Sequence, residues 1–196
     1  MKLKKILQNI FKKTFQNLFK VIYGRIKILD NKSEFNFKKY NIEKININGQ
    51  VYAVNKNIYE IDNARVFTDL VEHVAIIKDN FILPKISYQQ IKGELKETSY
   101  NKVLFSGTNR MKKKIKGKVL SLLQGASGNN YFHFMFDIVP KILLLEKVNL
   151  LKQIDFFLVP NIQNWQKTIL SNFGILEKQL LDSNKFRHIE AEKIYA

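Results

Sequence analysis

From residue 116 onward the chain alternates between strand-like and helix-like hydrophobic patterns, and this alternation strongly limits the folds open to it. Short apolar runs of strand length are separated by segments with helical periodicity. The expected elements follow in the order strand 118–124, helix 129–150, strand 155–159, helix 162–173, a short element at 177–182 and strand 187–195. Strands that alternate with helices are typical of a parallel sheet. The sequence therefore predicts an α/β domain over residues 116–196.

The preceding part of the chain carries strand signals without intervening helices. Short β-prone runs recur between residues 45 and 106, and the polar break at residues 78–80 predicts a hairpin between two of them. Residues 32–44 are rich in Asn and Lys and show no periodic pattern, so we expect a linker or irregular segment there. The chain is thus expected to place a β-rich region, residues 45–106, before the α/β domain.

The N-terminal segment, residues 1–27, combines positive charge with helical periodicity. It carries eight cations and no acid, which is half of the formal net charge of +16. Its apolar residues recur at intervals of three and four: Leu3, Ile6, Leu7, Ile10, Phe11, Phe15, Leu18, Phe19 and Ile22. Lysines occupy the other side, so the segment is expected to form a basic amphipathic helix.

Such a helix fits in-plane attachment to an anionic membrane surface, where each nearby cation contributes about 1 kcal/mol. Two alternatives remain at this stage, a helix packed on the domain core and a poorly ordered tail. No apolar run approaches the roughly 20 residues of a membrane span, and no cleavable signal sequence is evident. We therefore expect a cytoplasmic protein that can attach peripherally to the inner membrane face.

The composition limits the kinds of functional site that the chain can form. The chain has no cysteine, which excludes a disulfide framework and thiolate sites and suits a reducing cytoplasm. Its three histidines, His73, His133 and His188, show no metal-ligand spacing, so we expect neither a metal nor a cofactor. A second basic run, residues 110–118, has six cations in nine residues but no interleaved aromatic residues. It is expected to be a solvated connector rather than a nucleic-acid site.

Polar side chains form one stripe on the otherwise apolar helix expected at residues 129–150. His133, Asp137 and Lys141 are each four residues apart, and Asn130 lies one turn earlier. A helix that is apolar nearly all round belongs in a protein interior. A row of His, Asp and Lys in such a place needs a structural or a catalytic reason.

The catalytic interpretation assigns roles to His133, Asp137 and the residues at the start of the helix. His133 is a candidate general base, and Asp137 could hydrogen-bond one ring nitrogen and orient the ring, although spacing alone leaves open which of the two is the base. Asn130 and the backbone N–H groups of Gly128 and Asn129 would face the same opening, where they could bind hydroxyl or phosphate groups.

The structural interpretation is also open. Pro140 cannot continue a helix without losing a hydrogen bond, so Asp137 could be the N-cap of a new helix that begins at Ile138. His133 would then be a core histidine bonded to the backbone. A noncatalytic, membrane-associated binding module with a buried His/Asp/Lys network is the corresponding alternative function.

The stripe and its neighbours resemble a known signature. The run from Asn130 to Lys141 resembles the Asn-x-x-His-(Trp/Phe)-x-x-Asp-x-(Leu/Val)-Pro-(Arg/Lys) pattern of glycosyltransferase family 61, which includes bacterial capsular-polysaccharide biosynthesis proteins. Residues 64–87 look similar to the β-rich region upstream of that signature, and residues 154–196 to the strand–helix–strand that follows it. Phe134 stands where many members have Trp, and Lys141 where many have Arg, which loses the bidentate fork.

The resemblance implies a fold and an activity. Members look like GT-B enzymes with two facing Rossmann-like domains, so residues 116–196 would be part of the N-terminal half and the chain would be an incomplete piece. The implied reaction is sugar transfer from a nucleotide-sugar to a saccharide or lipid-linked acceptor, with inversion and without a metal. His133 and Asp137 would be catalytic, and Gly128, Asn129, Asn130 and Lys141 would bind substrate.

Overall fold

The structure is a computed structural model. It describes residues 2–29, 37–68, 73–91, 93–124 and 128–196. Residues 125–127, between the expected strand 118–124 and the expected helix 129–150, and part of the expected linker, residues 32–36, lie outside the described residues.

The described chain contains α-helices and β-strands in an order close to the expected one. The helices are α1 (Lys2–Tyr23), α2 (Val103–Ser106), α3 (Tyr131–His133), α4 (Val139–Lys147) and α5 (Asn164–Ser171). The strands are β1 (Lys27–Ile28), β2 (Lys38–Ile47), β3 (Gln50–Phe67), β4 (His73–Lys78), β5 (Phe81–Ile82), β6 (Tyr88–Ile91), β7 (Glu94–Lys96), β8 (Lys113–Ser121), β9 (Phe156–Val159), β10 (Leu180–Asp182) and β11 (His188–Tyr195). The expected hairpin at residues 78–80 is confirmed as the β4–β5 turn.

The strands form a mixed sheet, in the order β1-β5-β4-β3-β11-β8-β9-β10, with β2 paired to β3 and the β6–β7 hairpin paired to β4. The pairs among β11, β8, β9 and β10 are parallel, whereas β3 is antiparallel to β2, β4 and β11. The parallel arrangement expected for the strands after residue 116 is therefore confirmed, and the preceding part of the chain adds antiparallel pairs together with the parallel pair β1–β5. The β-rich region and the α/β region share one sheet, because β3 pairs with β11.

The four parallel strands define where a ligand can bind. After β8 the chain adds β9 and then β10 on one side, and β11 returns to the other side of β8. The direction of strand addition therefore reverses at β8. In open α/β sheets, ligands bind beyond the carboxyl ends of the strands at such a reversal. The helical segment that carries the polar stripe begins at Tyr131, shortly after β8 ends.

Most of the second basic run belongs to a strand, and the expectation of a connector is wrong for residues 113–118. Residues 113–121 form β8, which lies between β11 and β9. The N-terminal part of β8 carries the lysines and its C-terminal part leads into the buried residues 119–123. At the β8–β11 register shift, Gly117 has φ +121°, and an added Cβ would lie 2.6 Å from the Asp155 carboxylate, so glycine is required there.

The expectation of a linker is also wrong for residues 38–44. Residues 38–47, placed partly in the expected linker, form β2, which pairs with β3 over its length. The composition is misleading because the strand alternates exposed polar residues with Tyr40, Ile42 and Ile45, which pack on the core. A half-buried strand of this kind needs only one apolar face.

The two faces of the sheet bury separate apolar clusters. Helices α4 and α5 cover the face that carries Leu120, Leu122 and Phe157, and Phe134 and Ile138 of the intervening helical turn pack there too. The opposite face buries Val119, Leu158, Ile189 and Ile194 among others. Burial of each such side chain stabilises the fold by about 1.5–3 kcal/mol. Among the described residues, none of the helices combines the length and apolar character needed to cross a membrane.

A buried carboxylate links β2, β3 and β11. Glu60 is 9% exposed and accepts hydrogen bonds from the Tyr40 hydroxyl at 2.7 Å, from the Tyr195 hydroxyl at 3.0 Å and from the Lys193 ammonium group. Burial by itself would raise the pKa of Glu60, but these hydrogen bonds outweigh it and lower the pKa to about 2.

Glu60 should therefore make stability depend on acid pH. Its native pKa of about 2 lies below the ordinary value of 4.5, so the ionised group stabilises the fold above pH 4.5 and the contribution disappears as the pH falls towards 2. We expect Glu60→Gln to lower the free energy of unfolding by about 3 kcal/mol at pH 7, and the loss to shrink between about pH 5 and pH 2.

Urea unfolding across this pH range measures the effect. Glu43→Gln, at an exposed position of β2, is the matched control and should show no comparable pH-dependent difference. A Glu60→Gln deficit that stays constant with pH would contradict the assignment of a low pKa to Glu60.

Candidate functional site

The polar stripe lies on one continuous helical segment with a π turn in its middle. Asn130 is the N-cap, and its side-chain oxygen accepts a hydrogen bond from the His133 N–H at 3.3 Å. Residues 134–138 form the π turn, in which the Val139 N–H donates to the Phe134 carbonyl. Pro140 falls in the first turn of α4, where its missing N–H is tolerated. The alternative in which Asp137 caps a new helix at Ile138 is wrong, because Asp137 lies inside the π turn.

His133 and Asp137 contact each other directly. The distance from His133 Nδ1 to Asp137 Oδ2 is 3.0 Å, and the two side chains are 39% and 35% exposed. A carboxylate only accepts hydrogen bonds, so Nδ1 carries the hydrogen when the imidazole is neutral and Nε2 has the free lone pair. The pair is therefore oriented and open to solvent at the same time, which is the arrangement of a base and its orienting group.

Lys141 continues the stripe into α4 and is partly buried. Burial lowers the pKa of its ammonium group to about 8, and the negative charge of Asp137 acts in the opposite direction. The ammonium group is therefore still charged at neutral pH.

Two residues before α3, Gly128 and Asn129, are hydrogen-bonded to neighbouring segments. The Gly128 carbonyl accepts a hydrogen bond from Gln166 Nε2 at 3.2 Å, and Asn129 Oδ1 accepts one from the Asn161 amide. The Asn161 oxygen in turn accepts from Asn184 Nδ2 at 2.7 Å. Because Asn129, Asn161 and Asn184 follow β8, β9 and β10, side-chain amides join the carboxyl ends of three parallel strands.

Sequence reasoning missed three members of this arrangement, Asn161, Asn184 and Gln166. Asn161 has φ 43°, the left-handed region, and directly follows the Val159-Pro160 end of β9, which is the one signal that could have marked it. Gln166 is fully buried in α5, and its side-chain oxygen accepts the Gln163 N–H at 2.8 Å. Nothing in its sequence context distinguishes it from a surface residue, since its burial depends on contact with Gly128.

The helix that carries the stripe is not buried all round, which corrects the expectation of an interior helix. Tyr131, Phe132 and Phe136 are 60%, 60% and 65% exposed. The rings of Phe132 and Phe136 stack at 4.4 Å, and Phe132 also lies 5.8 Å from the His133 ring. Only the side with Phe134 and Ile138 faces the sheet. An exposed apolar surface therefore adjoins the His133–Asp137 pair.

The other two histidines lie elsewhere in the core. His73 Nε2 is 2.6 Å from the Asn101 side-chain oxygen, and His188 Nδ1 donates to the Arg110 carbonyl at 2.9 Å. Burial lowers the pKa of His188 to about 4. Among the described residues, no group of three or more His, Asp or Glu side chains is arranged to hold a metal ion.

Comparison with known proteins finds no relative. No protein-family model matches the chain, and neither a curated protein nor a solved structure matches it.

Proposed function

We propose that this protein is a glycosyltransferase that moves a sugar from a nucleotide-sugar to a saccharide or lipid-linked acceptor in polysaccharide synthesis. The observation that carries the proposal is the 3.0 Å contact between His133 Nδ1 and Asp137 Oδ2, partly open to solvent, on the helical segment that follows β8. An oriented imidazole at this position suits proton abstraction from a hydroxyl group. The resemblance to glycosyltransferase family 61 supplies the reaction class.

The proposed reaction is a single displacement. Asp137 holds the Nδ1–H of His133, and His133 Nε2 takes the proton of the acceptor hydroxyl as its oxygen attacks the anomeric carbon of the donor. The new bond joins the acceptor oxygen to the anomeric carbon, and the bond from that carbon to the phosphate oxygen breaks. The nucleotide leaves with the bonding electrons, and attack from the opposite side inverts the anomeric centre.

The placement of the site in the sheet supports binding of a nucleotide-sugar. The parallel strand order β10-β9-β8-β11 has the same pattern as the first half of a doubly wound nucleotide-binding sheet, with the reversal at β8. In the proposal, Gly128, Asn129 and Asn130 bound the opening at the end of β8, and Lys141 supplies positive charge for phosphate groups. The GT-B arrangement, with a second domain completing the donor site, remains part of the proposal.

Phe132 and Phe136 form the apolar side of the proposed site. Their stacked rings are largely exposed beside His133, and binding sites commonly combine aromatic walls with a few polar groups. The C–H-rich face of a sugar ring could lie against such a surface. The half-exposed state of His133 and Asp137 weighs against the alternative of a noncatalytic module with a buried polar network.

The activity is testable on protein expressed from its complete reading frame. We expect at least one donor in a panel of nucleotide-sugars to be consumed, with nucleotide release that EDTA leaves unchanged because no metal is required. Release of free nucleotide and transfer to added saccharide acceptors are the two readouts. Folded protein that consumes no donor in the panel, with or without acceptors, would contradict the proposal.

A further inference from the structure

Helix α1 is attached to the rest of the described protein near its C-terminal end. Phe19 is 6% exposed, Lys20 Nζ donates to the Phe105 carbonyl at 2.8 Å, and the Lys112 N–H donates to the Tyr23 hydroxyl at 3.0 Å. The apolar residues that precede Phe19 are between 36% and 64% exposed: Ile6, Leu7, Ile10, Phe11, Phe15 and Leu18. The alternative of a helix packed along the domain core does not hold for this part of α1.

The exposed apolar side chains of α1 form a continuous row along the helix. The rings of Phe11 and Phe15 are 4.3 Å apart, and Phe15 lies 6.0 Å from Phe19, so an aromatic row runs from the exposed half of the helix to its anchored end. A contiguous apolar surface of this kind marks an interaction site. Its partner must also tolerate positive charge, since residues 2–27 carry eight cations and no acid.

A basic pocket opens beside the anchored end of α1. It has a volume of about 340 Å³, and four of the residues that line it are cationic: Arg110, Lys113, Lys185 and Arg187. Its remaining lining residues are Met111, Asn184 and His188. A concave surface with several cationic side chains, Lys113 and Lys185 among them, favours an anionic group.

The pocket and the helix belong to one surface. His188, which lines the pocket, contacts the Tyr23 ring edge-on at 5.2 Å, and Lys112 Nζ lies 5.7 Å from the centre of the same ring. Two exposed apolar side chains lie nearby: Phe105 of α2, 71% exposed, whose carbonyl accepts the Lys20 hydrogen bond, and Met111, 77% exposed, which lines the pocket. Apolar groups suited to a hydrocarbon boundary therefore stand next to cations suited to phosphate.

We propose that α1 and this pocket form a docking surface for an anionic lipid bilayer, with the apolar face of α1 in the headgroup–acyl boundary and a lipid phosphate in the pocket. A bilayer surface offers apolar volume and negative charge together. A second copy of the chain would bring two cationic helices together, and a nucleic acid would leave the apolar face uncovered. The inference goes beyond the transferase proposal and does not depend on it, because Lys113 begins β8 whereas His133 follows its end.

Vesicle co-sedimentation of the full chain tests the docking surface. The vesicles are phosphatidylcholine alone, and phosphatidylcholine with phosphatidylglycerol. We expect binding to the phosphatidylglycerol vesicles and a loss of at least about tenfold in affinity for the double variant Leu7→Glu/Phe11→Glu. Lys113→Ser/Lys185→Ser should weaken the same binding about thirtyfold, at about 1 kcal/mol for each lost cation.

Matched controls separate the pocket from total charge. Lys147→Ser/Lys178→Ser removes two exposed lysines elsewhere, and Leu176→Glu charges an apolar residue that is 54% exposed. Both controls should bind as the wild type does. Thermal unfolding of each variant verifies that it is folded.

Several results would overturn the inference. Equal binding to vesicles without phosphatidylglycerol would remove the role of anionic lipid, and unchanged binding by Leu7→Glu/Phe11→Glu would remove the role of α1. If the pocket variant bound vesicles as well as the Lys147→Ser/Lys178→Ser control, the pocket would have no role in lipid binding. Self-association that Leu7→Glu/Phe11→Glu abolishes, without vesicle binding by the wild type, would assign the surface to a second copy instead. RNA binding without vesicle binding would also reject the proposal.

Discussion

Replacing His133 by alanine is expected to lower kcat/KM for sugar transfer by about 10²–10⁴-fold, the usual contribution of a positioned general base. In this variant no atom at the position of Nε2 could take the proton from the hydroxyl group of the sugar-accepting substrate. Asp137→Asn should also lower kcat, because an amide can donate to Nδ1 and favour the wrong tautomer. Steady-state rates of donor consumption and sugar transfer measure both effects.

The control for this prediction is Lys147→Ala, an exposed position at the end of the same helical segment. It should leave kcat and KM close to the wild-type values. If His133→Ala retained wild-type kcat while the protein stayed folded, the base would lie elsewhere and the His133–Asp137 contact would be structural.

Replacing Phe134 by alanine is expected to destabilise the fold by about 3–5 kcal/mol, the range for a large aromatic residue removed from a core. Phe134 is 0% exposed and contacts the Trp165 ring edge-on at 5.1 Å, so its loss leaves a cavity between the helical segment and α5. The midpoint of thermal unfolding should fall by roughly 10 °C. Urea unfolding with a constant m-value would show that the change lies in stability.

Phe132→Ala is the matched control, because Phe132 is the same residue type two positions earlier and is 60% exposed. It should cost below about 1 kcal/mol, the scale of a lost exposed aromatic contact. Equal destabilisation by the two variants would mean that the helical segment presents a different side to the sheet.

Several elements of the fold were predictable because their signals are local. The alternation of apolar runs and helical periodicity identified β8 to β11 and the helices between them to within a few residues. The i, i+4 spacing of His133 and Asp137 likewise predicted a contact that the structure bears out, because neighbouring turns of a helix bring such positions together.

Errors arose where pairing partners decide the structure. The lysine-rich residues 113–118 are part of a strand because β11 pairs with them, although their composition is typical of a solvated loop. Because β11 lies far away in the chain, no local signal reveals this pairing. Residues 38–47 form β2 because β3 pairs with them, and here a local signal existed, the Asn48-Gly49 turn in which both residues have positive φ.

The sequence by itself determined the amphipathic helix at the N-terminus, the order of strands and helices after residue 118, and the His133–Asp137 register, since each follows from the periodicity of one segment. Tertiary structure decided which side of the stripe-bearing helix is exposed, that Glu60 is buried among three donors, and that α1 is anchored at one end beside a basic pocket. Those features require residues far apart in the chain to meet. Their energies come from long-range burial and hydrogen bonding, which local spacing does not encode.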